Sequence, residues 1–142
     1  MATVDVSHET PAAPESVWAV LSDAERWPEW LVLHKSFTGT PPTLVSGESF
    51  KQKIDLMGMP AEVAWKVVAS EGGRLELEGD APMGIAARFA FSVVASDGGS
   101  TITQQARFEG GPLTGPLEKI VEKNAGQAAQ ESIGKLGALA AA

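Results

Sequence analysis

Between residues 49 and 108 apolar and polar positions alternate with a period of two, the pattern of strands that bury one face and wet the other. Phe50, Gln52, Ile54 and Leu56 share one side, opposite Ser49, Lys51, Lys53 and Asp55. Val63, Trp65 and Val67 oppose Glu62 and Lys66, and Leu75 and Leu77 oppose Glu76 and Glu78. Ile85, Ala87, Phe89, Phe91 and Val93 alternate with Arg88 and Ser92, and Ile102, Gln104, Ala106 and Phe108 follow. Gly72-Gly73 and Asp97-Gly98-Gly99 are hairpin signals between these runs. Met57-Gly58-Met59-Pro60 and the stretch 80–84 turn the chain elsewhere, and Gly110-Gly111-Pro112 stops the last strand. A first strand is expected over Thr3–Thr10, with Val4, Val6, His8 and Thr10 on one face, and a weaker one over Leu33–Thr38.

Helical spacing appears in two places. Pro14 suits the first turn of a short helix whose apolar face is Val17, Trp18, Val20 and Leu21. Ser22 and Glu25 stand at capping-box spacing and predict a second short helix from Ser22; alternatively Pro28 opens a helix carrying Trp30 and Leu31. A long helix is expected from Gly115-Pro116 to about Ala140, with Glu118 in its first turn, where the helix dipole favours a carboxylate. Leu117, Ile120, Val121, Ala128, Ser132, Leu136 and Leu139 fall near one face. Gly126, Gly134 and Gly137 each cost this helix about 1 kcal/mol relative to alanine. Packing against a sheet must therefore hold it.

The order is strand, two short helices, six antiparallel strands and one long helix. It predicts an α+β helix-grip architecture: a curved antiparallel sheet of six to seven strands around the C-terminal helix, with residues 1–142 as one domain. Sheets twist, so one this wide must curl to close around a single rod. Ala125, Gly126, Ala128 and Ala129 provide little volume, and a hollow is expected between sheet and helix.

Charge and composition narrow the functions. Lys and Arg number 11 against 18 Asp and Glu, a net charge of −7 with no basic run, which speaks against nucleic-acid binding and against docking on anionic lipid. The chain has no cysteine, so disulfides, thiol nucleophiles and thiolate metal sites are excluded. Met1–Glu9 lacks the basic and apolar regions of a signal peptide, and no apolar stretch approaches the roughly 20 residues of a membrane span. The expectation is a cytoplasmic protein without stable membrane insertion.

Pro14 to Leu31, reading PESVWAVLSDAERWPEWL, resembles the opening helices of the START-like (SRPBCC, Bet v 1-like) superfamily of polyketide cyclases and lipid-transfer proteins. The likeness in element order extends over essentially the whole chain. Three stretches, Glu29–Lys35 (EWLVLHK), Gly58–Trp65 (GMPAEVAW) and Gly110–Pro116 (GGPLTGP), are similar to an actinobacterial branch described as the toxin half of type II toxin–antitoxin pairs. The resemblance implies a helix-grip fold, a cavity between sheet and last helix, and no cofactor.

Few residues on the inward faces carry chemistry. His8 could act as acid or base inside a cavity, or be a solvated strand-end histidine. His34 could hold a ligand's polar end or bond helix to strand. Two isolated histidines make no metal site, and no spacing suggests a nucleophilic triad. Gln52 and Gln104 stand on otherwise apolar faces; they would orient a ligand or bond each other, backbone or water. Trp65, Phe50, Phe89, Phe91 and Phe108 are core or pocket wall, and Ile54, Leu77, Leu117 and Val121 complete the expected lining. Trp18, Trp27 and Trp30 are expected to brace the short helices, and Met57, Met59 and Met83 to pack loops or rim a mouth. Glu62, Glu76 and Glu78 read as a solvated outer face.

These residues predict binding of a small hydrophobic or amphipathic molecule, which the resemblance implies is lipid or polyketide-like. A toxin paired with an antitoxin protein is the alternative that the resemblance implies. A cyclase or dehydratase would need an acid or base, and the inward faces offer only His8, Gln52 and Gln104.

Overall fold

In a computed structural model, which describes residues 1–56 and 58–142, the alternating segments pair into one seven-stranded sheet. Its strands are β1 (Ala2–Thr10), β2 (His34–Phe37), β3 (Ser49–Leu56), β4 (Met59–Glu71), β5 (Arg74–Ala81), β6 (Ile85–Ser96) and β7 (Gly99–Glu109). The spatial order is β1-β7-β6-β5-β4-β3-β2 and every pairing is antiparallel. Successive hairpins join β3 to β7, and β1 crosses over to pair with β7. The sheet curls into a half-barrel. A bulge helps it bend: β4 and β5 lose register between Val67 and Ala69, leaving Val68 without a partner.

After β1 come α1 (Pro14–Leu21), a 3-10 turn at Ala24–Arg26, and α2 (Trp27–Trp30); a second 3-10 turn, Pro82–Gly84, joins β5 to β6. Pro14 and Pro28 both sit in first helical turns, as proline's missing N–H allows. The expected capping box is not made. Asp23 caps the 3-10 turn instead, its carboxylate accepting from the Glu25 N–H at 3.1 Å. The Ser22 hydroxyl turns back to donate to the Trp18 carbonyl at 2.6 Å. Ser22 ends α1, so its hydroxyl is nearer the free carbonyls behind it than the amides ahead.

The last helix, α3 (Gly115–Ala141), has 27 residues and is about 40 Å long. It lies along the inner face of the sheet and packs on β1, with α1 and α2 against its side. Three bonds tie it to β1: Thr10 Oγ1 donates to the Gly137 carbonyl at 3.0 Å, Gln130 donates to the Ser7 carbonyl at 3.2 Å, and the Thr3 amide donates to Glu122 at 2.9 Å. The Met1 ammonium pairs with Glu118. Ser132 Oγ accepts from the Val32 amide at 2.9 Å and so joins α3 to the segment after α2.

The buried row of α3 is Val121, Ala125, Ala129, Ile133 and Gly137, flanked by Ser132 and Leu136. This corrects the expected face. Ile120 lies to one side of the row and is 49% exposed; Leu117 extends it by one turn, at the overhanging start of the helix, and is 37% exposed. The large apolar residues of the first turns are therefore not what grips the sheet. Small ones are, because the helix comes close. A Cβ on Gly137 would lie 3.1 Å from both the His8 ring and Thr10 Cβ.

Gly126 and Gly134 have open space where a Cβ would go. Gly126→Ala and Gly134→Ala are each expected to raise stability by about 0.5–1 kcal/mol through helix propensity alone. Gly137→Ala should rank below both by at least about 1 kcal/mol, because its methyl crowds β1. Urea unfolding of the three variants checks the ranking.

Candidate functional site

The inner face of the sheet is set by two neighbours in register, Trp65 on β4 and Gly79 on β5. A Cβ on Gly79 would sit 2.5 Å from the Trp65 ring and 2.8 Å from Val63. Glycine there lets the indole lie flat over the adjoining strand. Trp65 then meets Phe89 at 4.9 Å between ring centroids. Phe89 stands edge-to-face with Phe91 at 6.3 Å and with Phe108 at 5.9 Å. Phe91 in turn meets the edge of Trp30 from α2 at 5.7 Å. This aromatic layer faces Val121, Ala125 and Ala129 of α3 within one apolar cluster that also holds Ile54 and Leu77.

Two amides interrupt that surface. Gln52 Oε1 accepts from Trp65 Nε1–H at 2.9 Å, and Gln52 Nε2 lies 2.7 Å from His34 Nδ1. An indole nitrogen only donates, which fixes the amide's orientation. Gln52 Nε2 must then donate, so His34 Nδ1 accepts and the imidazole is neutral with its proton on Nε2. Burial pushes the His34 pKa below its ordinary value near 6.5. The ring is also faced by Phe37 at 4.6 Å and Trp27 at 6.4 Å. The second amide, Gln104, is equally buried, yet its Oε1 has no hydrogen-bond partner among the described residues. Trp30 Nε1 is in the same condition.

Several expected residues meet here and others do not. His34, Gln52 and Trp65 form one hydrogen-bonded chain, so the two glutamines do not bond each other. Phe50 pairs with Trp65 on the same face of the sheet but is only half-buried, and its ring packs 5.9 Å from both Trp27 and Phe37. Trp27 braces the short helices as expected, its Nε1–H reaching the Leu21 carbonyl at 3.0 Å. Trp30 does more, since it forms part of the inner layer; its three-residue spacing from Trp27 was the available signal. His8 is half-buried beside Gly137. Leu117 stays at the surface, as do Met59 at 61% and Met83 at 69% exposed. Met57 lies outside the described residues.

The expected hollow is closed. Trp65, Phe89, Phe91, Gln104, Phe108 and Val121 are each no more than 4% exposed. A depression of about 690 Å³ is on the opposite, outer face, where Lys51, Lys66, Glu78, Asp80, Arg88 and Arg107 line it. Among the described residues no group of three His, Asp or Glu could hold a metal, and no helix is long and apolar enough to cross a membrane.

A curled antiparallel sheet closed over one long C-terminal helix, with an apolar inner face, defines the helix-grip class. The profile of the family described as polyketide cyclase/dehydrase and lipid transport matches residues 1–141, and the chain belongs to that family. Its relatives include a protein named Toxin Rv0910 from Mycobacterium tuberculosis, 29% identical over 125 residues that cover 85% of each chain. Solved structures share the fold. A START superfamily protein from Mycobacterium smegmatis superposes with a TM-score of 0.74 at 17% identity, over 97% of this chain and 96% of that one. A protein from Chromobacterium violaceum reaches 0.75 at 15% identity, over 100% and 99%.

Gln52→Leu leaves the Trp65 N–H and His34 Nδ1 without their partner and is expected to cost about 1–3 kcal/mol. The sign of the His34 effect follows from its lowered pKa. Below about pH 6.5 the unfolded chain takes up a proton that the folded chain refuses. Stability is full above that pH, falls as pH drops below it, and levels once folded His34 is protonated too. Chemical unfolding between pH 7.5 and 5 should show this slope in the wild type and its loss in His34→Phe.

Proposed function

We propose that the chain is a binding module for a small hydrophobic or amphipathic molecule, lipid or polyketide-like, held between the inner face of the sheet and α3. The observation that carries this reading is an apolar interior that holds a buried amide oxygen, Gln104 Oε1, with no hydrogen-bond partner among the described residues. Ligand sites in proteins combine such surfaces: mostly apolar walls with a few placed polar groups. Membership of a family described by lipid transport supports it further.

The closed interior means that a guest enters by displacement. The large exposed apolar residues Met59, Met83, Leu117 and Ile120 stand at the start of β4, the turn before β6 and the start of α3. The connection from β7 to α3 lies against that turn, since a Cβ on Gly110 would meet the Gly84 carbonyl at 2.6 Å. The first turns of α3 carry no side-chain cap, bury nothing before Val121 and are held to Met1 and Thr3 only through exposed bonds of Glu118 and Glu122, so they are the part of the helix that opens most cheaply. Burying a chain of about twelve methylenes returns about 10 kcal/mol before costs, enough to offset local opening.

The interior favours binding over turnover. Its buried polar side chains are Thr10, Gln52, Ser100, Gln104 and Ser132, none of which titrates near neutral pH. His34 is engaged by Gln52. For a second reading, a toxin restrained by an antitoxin protein, the support is the name of the relatives that share 29% identity and the exposed apolar residues around the start of α3. The two readings are compatible.

Delipidated protein melted with a panel of long-chain alcohols, acids and aromatic polyketides is expected to gain stability with at least one of them, by about 2.7 kcal/mol at a hundredfold excess over Kd. No shift with any member of the panel, together with no uptake of an apolar dye, would contradict the binding reading. For the toxin reading, induced expression should arrest growth of a bacterial host; unimpaired growth at high expression would count against it.

A further inference from the structure

Two buried polar atoms with no partner occur among the described residues, and both belong to residues that pack on Phe91. Gln104 on β7 stands directly across from Phe91 on β6, with Val6 on its other side. Trp30 comes down from α2 to set its ring against Phe91. The atoms are chemically opposite: Trp30 Nε1–H can only donate, and Gln104 Oε1 can only accept. The side chains that flank Gln104 in register, Phe91 and Val6, are apolar, as is the Phe91 ring that meets Trp30. Buried polar groups are satisfied in the great majority of cases, so a donor and an acceptor left open at one aromatic ring call for a common explanation.

We propose that this pair is the recognition point for a single hydroxyl, so that the guest is a largely apolar alcohol whose oxygen accepts from Trp30 and donates to Gln104. The inference rests on the binding reading given above and specifies its ligand. A hydroxyl is the smallest group that satisfies both atoms at once. It also serves if the Gln104 amide turns over, because its oxygen can accept from the indole and the amide nitrogen together. An ether or ketone oxygen satisfies the indole alone, and a hydrocarbon satisfies neither. A carboxylate would bring a charge into an interior whose buried polar residues include no cation. The carbon skeleton then lies along the aromatic layer of Phe91, Phe89 and Trp65. Gln52 is already bonded to both His34 and Trp65, so these groups compete little for the hydroxyl.

The test compares 1-dodecanol, its methyl ether and dodecane as competitors of a fluorescent apolar dye bound to the full chain. Wild type is expected to prefer the alcohol over the ether by about tenfold or more, the effect of one hydrogen bond of about 1.4 kcal/mol. Gln104→Leu should bring that preference to within about threefold while leaving ether affinity unchanged, and Trp30→Phe should weaken alcohol and ether alike relative to dodecane, by about threefold or more. Gln104→Leu should also unfold at the same denaturant concentration as wild type or a higher one, since it removes an unpaired polar group. If that variant does not fold, the loss of the ether's advantage over dodecane in Trp30→Phe carries the test. Equal affinity for alcohol and ether in the wild type, a preference that survives Gln104→Leu, or alcohol and ether affinities untouched by Trp30→Phe, overturns the hydroxyl site and leaves the binding module standing. Failure of all three compounds to displace the dye or to raise the melting temperature overturns the binding reading, and the hydroxyl site with it.

Discussion

A polar group removed from water has to be given a partner, and the inner face of this sheet treats its two glutamines differently under that constraint. Gln52 is fully used. It takes the Trp65 N–H on one side and serves His34 on the other, and in doing so it orients an indole and fixes an imidazole tautomer. Gln104 is buried to the same degree, yet its oxygen meets nothing it can bond. The first amide is part of the scaffold. The second is an unused hydrogen-bonding capacity in an otherwise apolar wall, and the functional reading follows from that difference.

The scaffold keeps this wall in place through close approach rather than bulk. Gly79 lets Trp65 lie across β5, and Trp65 in turn sets the position of Phe89. On the other side of the interior, Ala125, Ala129 and Gly137 let α3 settle on the sheet, with Thr10 bonded to the helix backbone where the two are nearest. Small residues in the gripping helix bring the layers together and close the interior. The same choice makes the start of the helix, where Leu117 and Ile120 face outward, the part least tied to the core. The helix is thus anchored on β1 by buried contacts near its end, and at its beginning by the exposed bonds of Glu118 and Glu122 to Met1 and Thr3.

Much of this architecture was legible in the alternation of apolar and polar residues. Trp65, Phe89, Phe91, Phe108, Ile54 and Leu77 all face inward as their periodicity requires, and Gln52 and Gln104 stood out because they break an apolar face. The helix was harder. Its buried row is written in alanine and glycine, which carry almost no hydropathy signal, so Leu117 and Ile120 drew the predicted face toward themselves. The cap was displaced by one residue because Ser22 and Asp23 can both cap, and only the path of the backbone decides between them. Partnerships between elements distant in sequence were not legible at all. Nothing in the linear pattern joins Trp30 to Phe91, or distinguishes a glutamine that will find an indole from one that will not.

The central claim concerns the atoms around Phe91. A high-resolution crystal structure of the protein purified with its natural guest tests it most directly. The account predicts electron density along the aromatic layer ending in one oxygen, about 2.7–3.2 Å from both Trp30 Nε1 and Gln104 Oε1. A dry interior in which the two side chains bond to each other, with α3 seated on the sheet and no guest between them, would contradict it.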